Sequence, residues 1–219
     1  LQLTLLQRAE TAETRAAAAA MLGEGIERAT RLVDQLLALA RSEPGAPAPR
    51  EGVDLVEIAR QAIAQTVSFA ASRRAEIELV APAPVPLFGD AAALGLLVRN
   101  LVDNAVRYSP PGTGVRVDVA ADSEGASLIV DDAGPGIGEA ERERVFDRFY
   151  RRAGQFEEGS GLGLAIVRQV ALGHGGAVAL ATSPQGGLRV RVVFPVAKRF
   201  EGLGFAAPAP ADPLSLTQS

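Results

Sequence analysis

Apolar positions in the first forty residues recur at helical spacing. Leu22, Ile26, Ala29, Val33, Leu36 and Ala40 follow one another at steps of 4, 3, 4, 3 and 4. That heptad seam marks a helix in a coiled coil or bundle. No Pro interrupts residues 13–41, where the good helix formers Ala, Leu, Arg and Glu dominate. Residues 1–10 read as the end of another helix. Two short helices cannot bury such a seam alone, so a second copy of the chain is its predicted partner. The alternative is one amphipathic helix lying on the following domain.

SEPGAPAPREG (42–52), with Pro44, Gly45, Pro47 and Pro49, reads as a semi-rigid linker. A second domain is predicted over 53–196. Asp54 is placed to cap a helix over 55–72, AEIELV (75–80) alternates as a strand, and Asp90 precedes a helix over 91–108. GVRVDVAA (114–121) and ASLIVDD (126–132) read as antiparallel neighbours, with Asp132 ending the second strand. EAERERVFDRF (139–149) reads as a short helix and GLGLAIVRQVALG (161–173) as another. AVALAT (177–182) and LRVRVVF (188–194) make a last hairpin around SPQGG. The predicted fold class is α+β, a two-layer sandwich of a mixed, mostly antiparallel sheet with helices on one face. Residues 197–219, rich in Ala, Pro and Ser, carry no periodicity and read as a disordered tail.

Charge and composition then narrow the chemistry. The 219 residues hold 22 Lys+Arg against 26 Asp+Glu, a formal net charge of −4, so no basic field draws nucleic acid or anionic lipid. With no Cys and one His, disulfides, thiolate metal sites and histidine-rich metal sites are excluded. No apolar run approaches the roughly 20 residues that span a bilayer, and residues 1–20 lack a signal-peptide pattern. The chain opens on Leu1 and its single Met is Met21, so it is expected to be an excised piece.

Four motifs carry chemistry. NLVDNAVRYSP sets Asn100 and Asn104 at i,i+4 on one helix face, with Arg107 a turn further. A carboxamide oxygen is a hard neutral ligand suited to Mg²⁺, and a guanidinium can pair with phosphate; the same residues also read as ordinary helix-surface polars. In DDAGPGIG (131–138), Asp132 could accept a bond from the exocyclic amino group of adenine, where guanine presents a repelling carbonyl. Gly134 and Gly136 remove Cβ atoms that would hold backbone away from a flat ligand; a plain glycine turn is the other reading. GSGLGLAI (159–166) places Gly159, Gly161 and Gly163 at a helix entry, where free N–H groups and the helix dipole hold anions. FDRFYRRAGQFEE (146–158) reads as a mobile lid whose aromatics anchor one end while an arginine reaches inward, or else as a solvated surface loop.

Taken together, in this order and spacing, these motifs resemble the ATP-binding domain of bacterial sensor histidine kinases, within the ATPase superfamily shared with gyrase, MutL and the ninety-kilodalton heat-shock chaperone. The resemblance covers about residues 1–196. GIERATRLVDQLLALAR (25–41) resembles the second helix of their dimerisation and phosphotransfer hairpin, particularly in sensors of the quorum-sensing and metal-response type. It implies a Bergerat-type ATP fold, with residues 1–41 a truncated hairpin. ATP and Mg²⁺ are the implied cofactors. Asn104 would ligate the metal with Asn100 beside it, and Arg107, standing where the family usually has Lys, would contact phosphate. Tyr108 would lie against the nucleotide, and Asp132 would read adenine. Gly134, Gly136 and Ile137 would shape the base pocket. Phe149 and Arg151 would serve from the lid, Arg151 reaching the terminal phosphate. Gly159, Ser160, Gly161, Leu162, Gly163 and Leu164 would wrap the triphosphate.

The superfamily's hydrolases carry Glu at the position of Asn100, and an amide cannot take a proton from water, so the resemblance favours transfer over hydrolysis, with Asn100 and Arg151 as the catalytic pair. The acceptor motif His-Glu-x-x-x-Pro is missing from residues 1–10. His174, in LGHGG, matches the family's helix-to-strand turn and is expected to be structural. The piece is therefore expected to bind ATP without phosphorylating itself. The implied partners are a second copy through the hairpin and a cognate response regulator, with no nucleic acid and no direct membrane contact by this piece. The implied place is the cytoplasmic side of a parent in the bacterial inner membrane. A nucleotide-binding or dimerisation module without transferase activity is the alternative; a serine kinase of the anti-sigma type fits less well, because it usually lacks the heptad hairpin.

Overall fold

The structure, a computed structural model, describes residues 11, 13–19, 21–22, 25, 50–123, 125–151 and 160–195. The heptad seam beyond Leu22, most of the 42–52 linker, the lid from residue 152 with Gly159, and the tail lie outside the described residues. The chain divides into two compact units, Leu1–Glu43 and Pro44–Ser219. In the first, residues 13–19, 21–22 and 25 are helical. Thr11 and Thr14 open that stretch by reciprocal capping, each backbone N–H donating to the other's Oγ1 at 3.1 Å.

In the second unit the elements run β1 (Glu51–Asp54), α1 (Leu55–Ser72), β2 (Glu76–Val80), β3 (Pro86–Gly89), α2 (Ala91–Tyr108), β4 (Gly114–Asp122), β5 (Gly125–Asp131), α3 (Gly163–Gly173), β6 (Ala177–Thr182) and β7 (Leu188–Pro195). The sheet order is β2-β4-β5-β7-β6, and only β2–β4 is parallel. The three helices pack on one face, as an α+β sandwich requires. Alternation along the strands makes that face apolar: Val115, Val117 and Val119 on β4, Leu128 and Val130 on β5, and Val190, Val192 and Phe194 on β7 are buried. Opposite them lie Leu55, Ala59 and Ala62 of α1, Leu94, Leu97, Val98, Leu101 and Val102 of α2, and Ile166, Val167 and Val170 of α3. Each fully buried Leu, Ile or Val contributes about 1.5–3 kcal/mol.

Both long helices start where the predicted caps stand. Asp54 accepts from Val56 N–H at 2.9 Å, and also from Val85 N–H at 2.9 Å. Asp90 accepts from the N–H groups of Ala92 and Ala93. At the far end of α3, His174 joins helix to helix: Nδ1 meets the Val170 carbonyl at 2.8 Å, and Nε2 accepts from Asp90 N–H at 3.0 Å. Both ring nitrogens are thus engaged within the fold.

Three predicted features are corrected. Residues 139–149 do not form a helix; they make two isolated 3-10 turns, Glu139–Glu141 and Arg144–Phe146. The segment has good helix formers but no apolar stripe, Val145 being its one buried residue, and neither turn has a side-chain cap. A second, two-stranded antiparallel sheet, β1–β3, was not anticipated, and β1 takes in Glu51 and Gly52 from the stretch read as linker. Finally, β5 ends at Asp131, which leaves Asp132 as the first residue past the strand.

Candidate functional site

Asp132 sits at the C-terminal end of β5 and is only 6% exposed. Its N–H donates to the Leu188 carbonyl at 3.0 Å. Its Oδ1 accepts two backbone bonds, from Gly134 and from Leu188, each at 2.8 Å. No described residue donates to Oδ2. Burial pushes the carboxyl above the usual aspartate value; the two N–H groups pull it back, and the charge of neighbouring Asp131 adds to the rise. The result is a fixed carboxylate with one oxygen available to a planar donor. Gly134 keeps the approach narrow, since a Cβ there would stand 2.8 Å from the Tyr108 carbonyl oxygen. Gly136 turns with φ +65°, and Ile137 beside it is half-buried.

The asparagine pair faces the start of α3. Asn100 is 7% exposed and donates through Nδ2 to the Leu96 carbonyl at 2.8 Å. A Cβ on Gly163 would lie 3.3 Å from Asn100 Oδ1 and 3.0 Å from Asn104 Nδ2, so both carboxamides reach the first residue of that helix. Among the described residues no group of three His, Cys, Asp or Glu could hold a metal ion. A carboxamide pair of this kind suits Mg²⁺, which takes one or two protein oxygens and fills its remaining positions from phosphate and water.

The glycine-rich turn leads straight into α3. Leu162 caps the helix without a side-chain bond to it, so its first N–H groups face outward with the positive end of the dipole. Ser160 Oγ accepts from Leu162 N–H at 3.3 Å. Gly161 has φ +69°, and its carbonyl accepts from Phe149 N–H at 3.0 Å, which ties the turn to residues 146–150. Leu162 is buried and Leu164 half-buried.

Residues 146–150 are anchored by two aromatics. The Arg168 guanidinium of α3 lies over the Phe146 ring at 5.2 Å. Tyr150 donates its hydroxyl to Glu141 at 3.2 Å beneath Arg144, 4.9 Å from the ring centre. Phe149 is 67% exposed at φ +64°. Arg151 is exposed beside it. The Arg107 guanidinium lies 5.1 Å over the Phe69 ring of α1.

Two contributors were missed. Ser109, just past α2, is 2% exposed and accepts from Ala133 N–H at 3.2 Å, bracing the loop after Asp132. Gly187 and Leu188 fix Asp132 from the β7 side, and a side chain on Gly187 would overlap the Asp132 oxygens. Ser109 precedes Pro110 at a helix end, a legible stop; Gly187 had read only as part of a hairpin turn.

The fold and this arrangement together define the ATP-binding catalytic domain of a sensor histidine kinase. Residues 89–198 match the family described as histidine kinase-, DNA gyrase B-, and HSP90-like ATPase, and the chain belongs to it. The signal transduction histidine-protein kinase/phosphatase MprB of Mycobacterium sp. (strain KMS) is 45% identical over 166 residues, 74% of this chain and 31% of that protein. The solved structure of mycobacterial MprB superposes with a TM-score of 0.60 at 37% identity, over 67% of this chain and 97% of that one. Sensor protein QseC of Escherichia coli (strain K12) is 40% identical over 183 residues, 82% of this chain and 40% of that protein. Full-length ShkA in complex with AMPPNP matches with a TM-score of 0.68 at 27% identity, over 87% of this chain and 40% of that one. The chain thus spans about a third of the length of MprB and two-fifths of QseC. Among the described residues, no helix is long and apolar enough to cross a membrane.

Proposed function

We propose that this chain binds Mg²⁺-ATP and transfers its γ-phosphoryl group to a histidine on a hairpin helix outside these 219 residues. The observation that carries the reading is the buried Asp132 carboxylate, one oxygen pinned by Gly134 and Leu188 and the other left for a donor on a purine edge. The carboxamides of Asn100 and Asn104, gathered at the first residue of α3, support it. The ShkA complex with AMPPNP supports a nucleotide as the ligand.

In this reading Asp132 selects adenine over guanine by accepting from its amino group. The N–H groups at the start of α3 hold phosphate, and Asn104 holds the metal with Asn100 beside it. A Mg²⁺ ion held there would supply charge neutralisation for the phosphates. Arg151 meets the charge on the terminal phosphate from the lid. A neutral imidazole nitrogen on the incoming helix forms the new P–N bond as the bond to the ADP oxygen breaks; ADP leaves with that electron pair, and the ring proton goes to solvent. No general base is needed, which suits an amide at residue 100. His174 cannot be the acceptor while both of its nitrogens are engaged, so the chain alone does not phosphorylate itself. A second copy through residues 1–41, a response regulator and a parent in the bacterial inner membrane belong to the same reading.

The test is transfer in trans. This chain is mixed with a separate histidine-bearing hairpin and γ-labelled ATP. Acid-labile label on the hairpin is the expected result, and none on this chain alone. Nucleotide binding without transfer would instead make it a binding and dimerisation module.

A further inference from the structure

The last rung of the β5–β7 ladder pairs Asp131 with Arg189. The Asp131 carboxylate is buried, and the Arg189 fork meets both of its oxygens, Nε to Oδ1 at 2.8 Å and Nη2 to Oδ2 at 2.6 Å. Each partner stands one residue from the purine-side contact. Asp132 follows Asp131, Leu188 precedes Arg189, and those two neighbours exchange a pair of backbone-anchored bonds, Asp132 N–H to the Leu188 carbonyl and Leu188 N–H to Asp132 Oδ1. Side chains alternate along a strand, so the ion pair projects away from the face that carries the candidate site. Arg116 lies opposite Asp131 on the β4 side; its hydrogen bonds go to Asp118 at 2.9 Å and Glu78 at 3.2 Å, and it reaches Asp131 through charge alone. Among the described residues, Arg189 is the cation that pairs with Asp131.

We propose that Arg189 is a positioning residue for nucleotide recognition: by clamping Asp131 it locks the rung from which Leu188 aims the Asp132 carboxylate, and it keeps the two adjacent carboxylates from competing for charge. The inference rests on the reading of Asp132 as the purine contact. Without Arg189, the buried Asp131 carboxylate loses its hydrogen-bonded cation and keeps only the charge of Arg116 across the ladder, beside a second buried carboxylate, and like charges so close favour taking up a proton at one of them. The charged groups that set this balance are Asp131 on β5, Arg189 on β7, Arg116 and Asp118 on β4, and Glu78 on β2. A protonated Asp132 turns a donor toward the purine amino group and loses the recognition.

Two readouts on the full chain test this. Carbon-13 titration without nucleotide follows the Asp132 carboxyl, assigned by its loss in Asp132→Asn, and calorimetry follows affinity for a non-hydrolysable ATP analogue between about pH 6 and 8. Arg189→Gln is expected to move the Asp132 midpoint upward and to weaken binding about tenfold near pH 7, more so at lower pH. The double variant Asp131→Asn/Arg189→Gln, which removes both charges and keeps a polar pair, is expected to restore both. Arg189→Lys keeps the charge without the fork, and should hold the midpoint while losing part of the affinity; it remains informative if the Gln variant does not fold. An unmoved midpoint and unchanged affinity in Arg189→Gln, or a double variant no better than the single, would overturn the inference and leave the nucleotide site standing. A wild-type chain that takes up no nucleotide overturns both, and is told apart because the carboxyl titration is read in its absence.

Discussion

The imidazole of His174 accepts a hydrogen bond at Nε2 from the backbone N–H of Asp90, 84 residues earlier in the chain, at 3.0 Å. Because Nε2 accepts, Nδ1 must carry the proton and donate to Val170, which fixes one neutral tautomer. The contact ties the end of α3 to the cap of α2, the two helices that bring Gly163 and the asparagines together. Gly89 belongs to the same arrangement, since a Cβ there would stand 2.7 Å from the ring.

Burial lowers the His174 pKa below its ordinary value, and the nearby Arg50 charge adds to this, while the Val170 bond and Asp90 oppose it. Below about pH 6.5 the unfolded chain takes up a proton that the folded ring resists, so stability falls as pH drops through that value and levels off below the folded pKa. Above about pH 7.5 this group adds no slope. Denaturant midpoints for wild type and His174→Gln should therefore differ most at neutral pH, by about 1–3 kcal/mol for two lost buried bonds, and converge in acid. A constant difference would contradict a histidine held neutral.

Gly187→Ala should damage the site more than the fold. Any side chain there overlaps the Asp132 oxygens and crowds Gly134 N–H, so the loop after β5 must shift. A stability loss of about 1–3 kcal/mol with a larger loss of nucleotide affinity is expected; chemical denaturation and calorimetry on one preparation separate the two.

Asp132→Asn separates charge from shape. The amide oxygen can still accept from Gly134 and Leu188, and a buried charge is removed, so thermal stability should hold or rise. Affinity for ATP should drop by about 1–3 kcal/mol, roughly tenfold to a hundredfold, because an NH₂ donor replaces an acceptor. Preserved affinity would remove the purine assignment.

Asn104→Ala is expected to act through the metal. ATP binding in magnesium should weaken, while binding in a chelator should change little, since the base contact is intact. Equal losses with and without magnesium would point to a packing role against Gly163.

Much of the fold was legible because its signals are local. Asp54 and Asp90 stand one residue before apolar periodic runs, and α1 and α2 begin directly after them. The alternation in β4, β5 and β7 marked one buried face. The small β1–β3 sheet was not legible, because four-residue strands such as PLFG carry no period of their own and pair only across a distant segment. Residues 139–149 misled through helix-forming composition without an apolar face. In the candidate site, Asp132 and the glycines announced themselves by spacing within a few residues. The Leu188 donor, the Gly187 contact and the Arg189 clamp depend on the register of two strands 56 residues apart, which no local pattern carries. Arg107 was placed on the right helix, yet its ring contact with Phe69 follows from how α1 packs.

The most direct measurement is titration of the wild-type chain with magnesium and a non-hydrolysable ATP analogue, beside the matching GTP analogue. Saturable heat with ATP and a much weaker response with GTP is the predicted result. No heat with either at millimolar concentration would contradict the account.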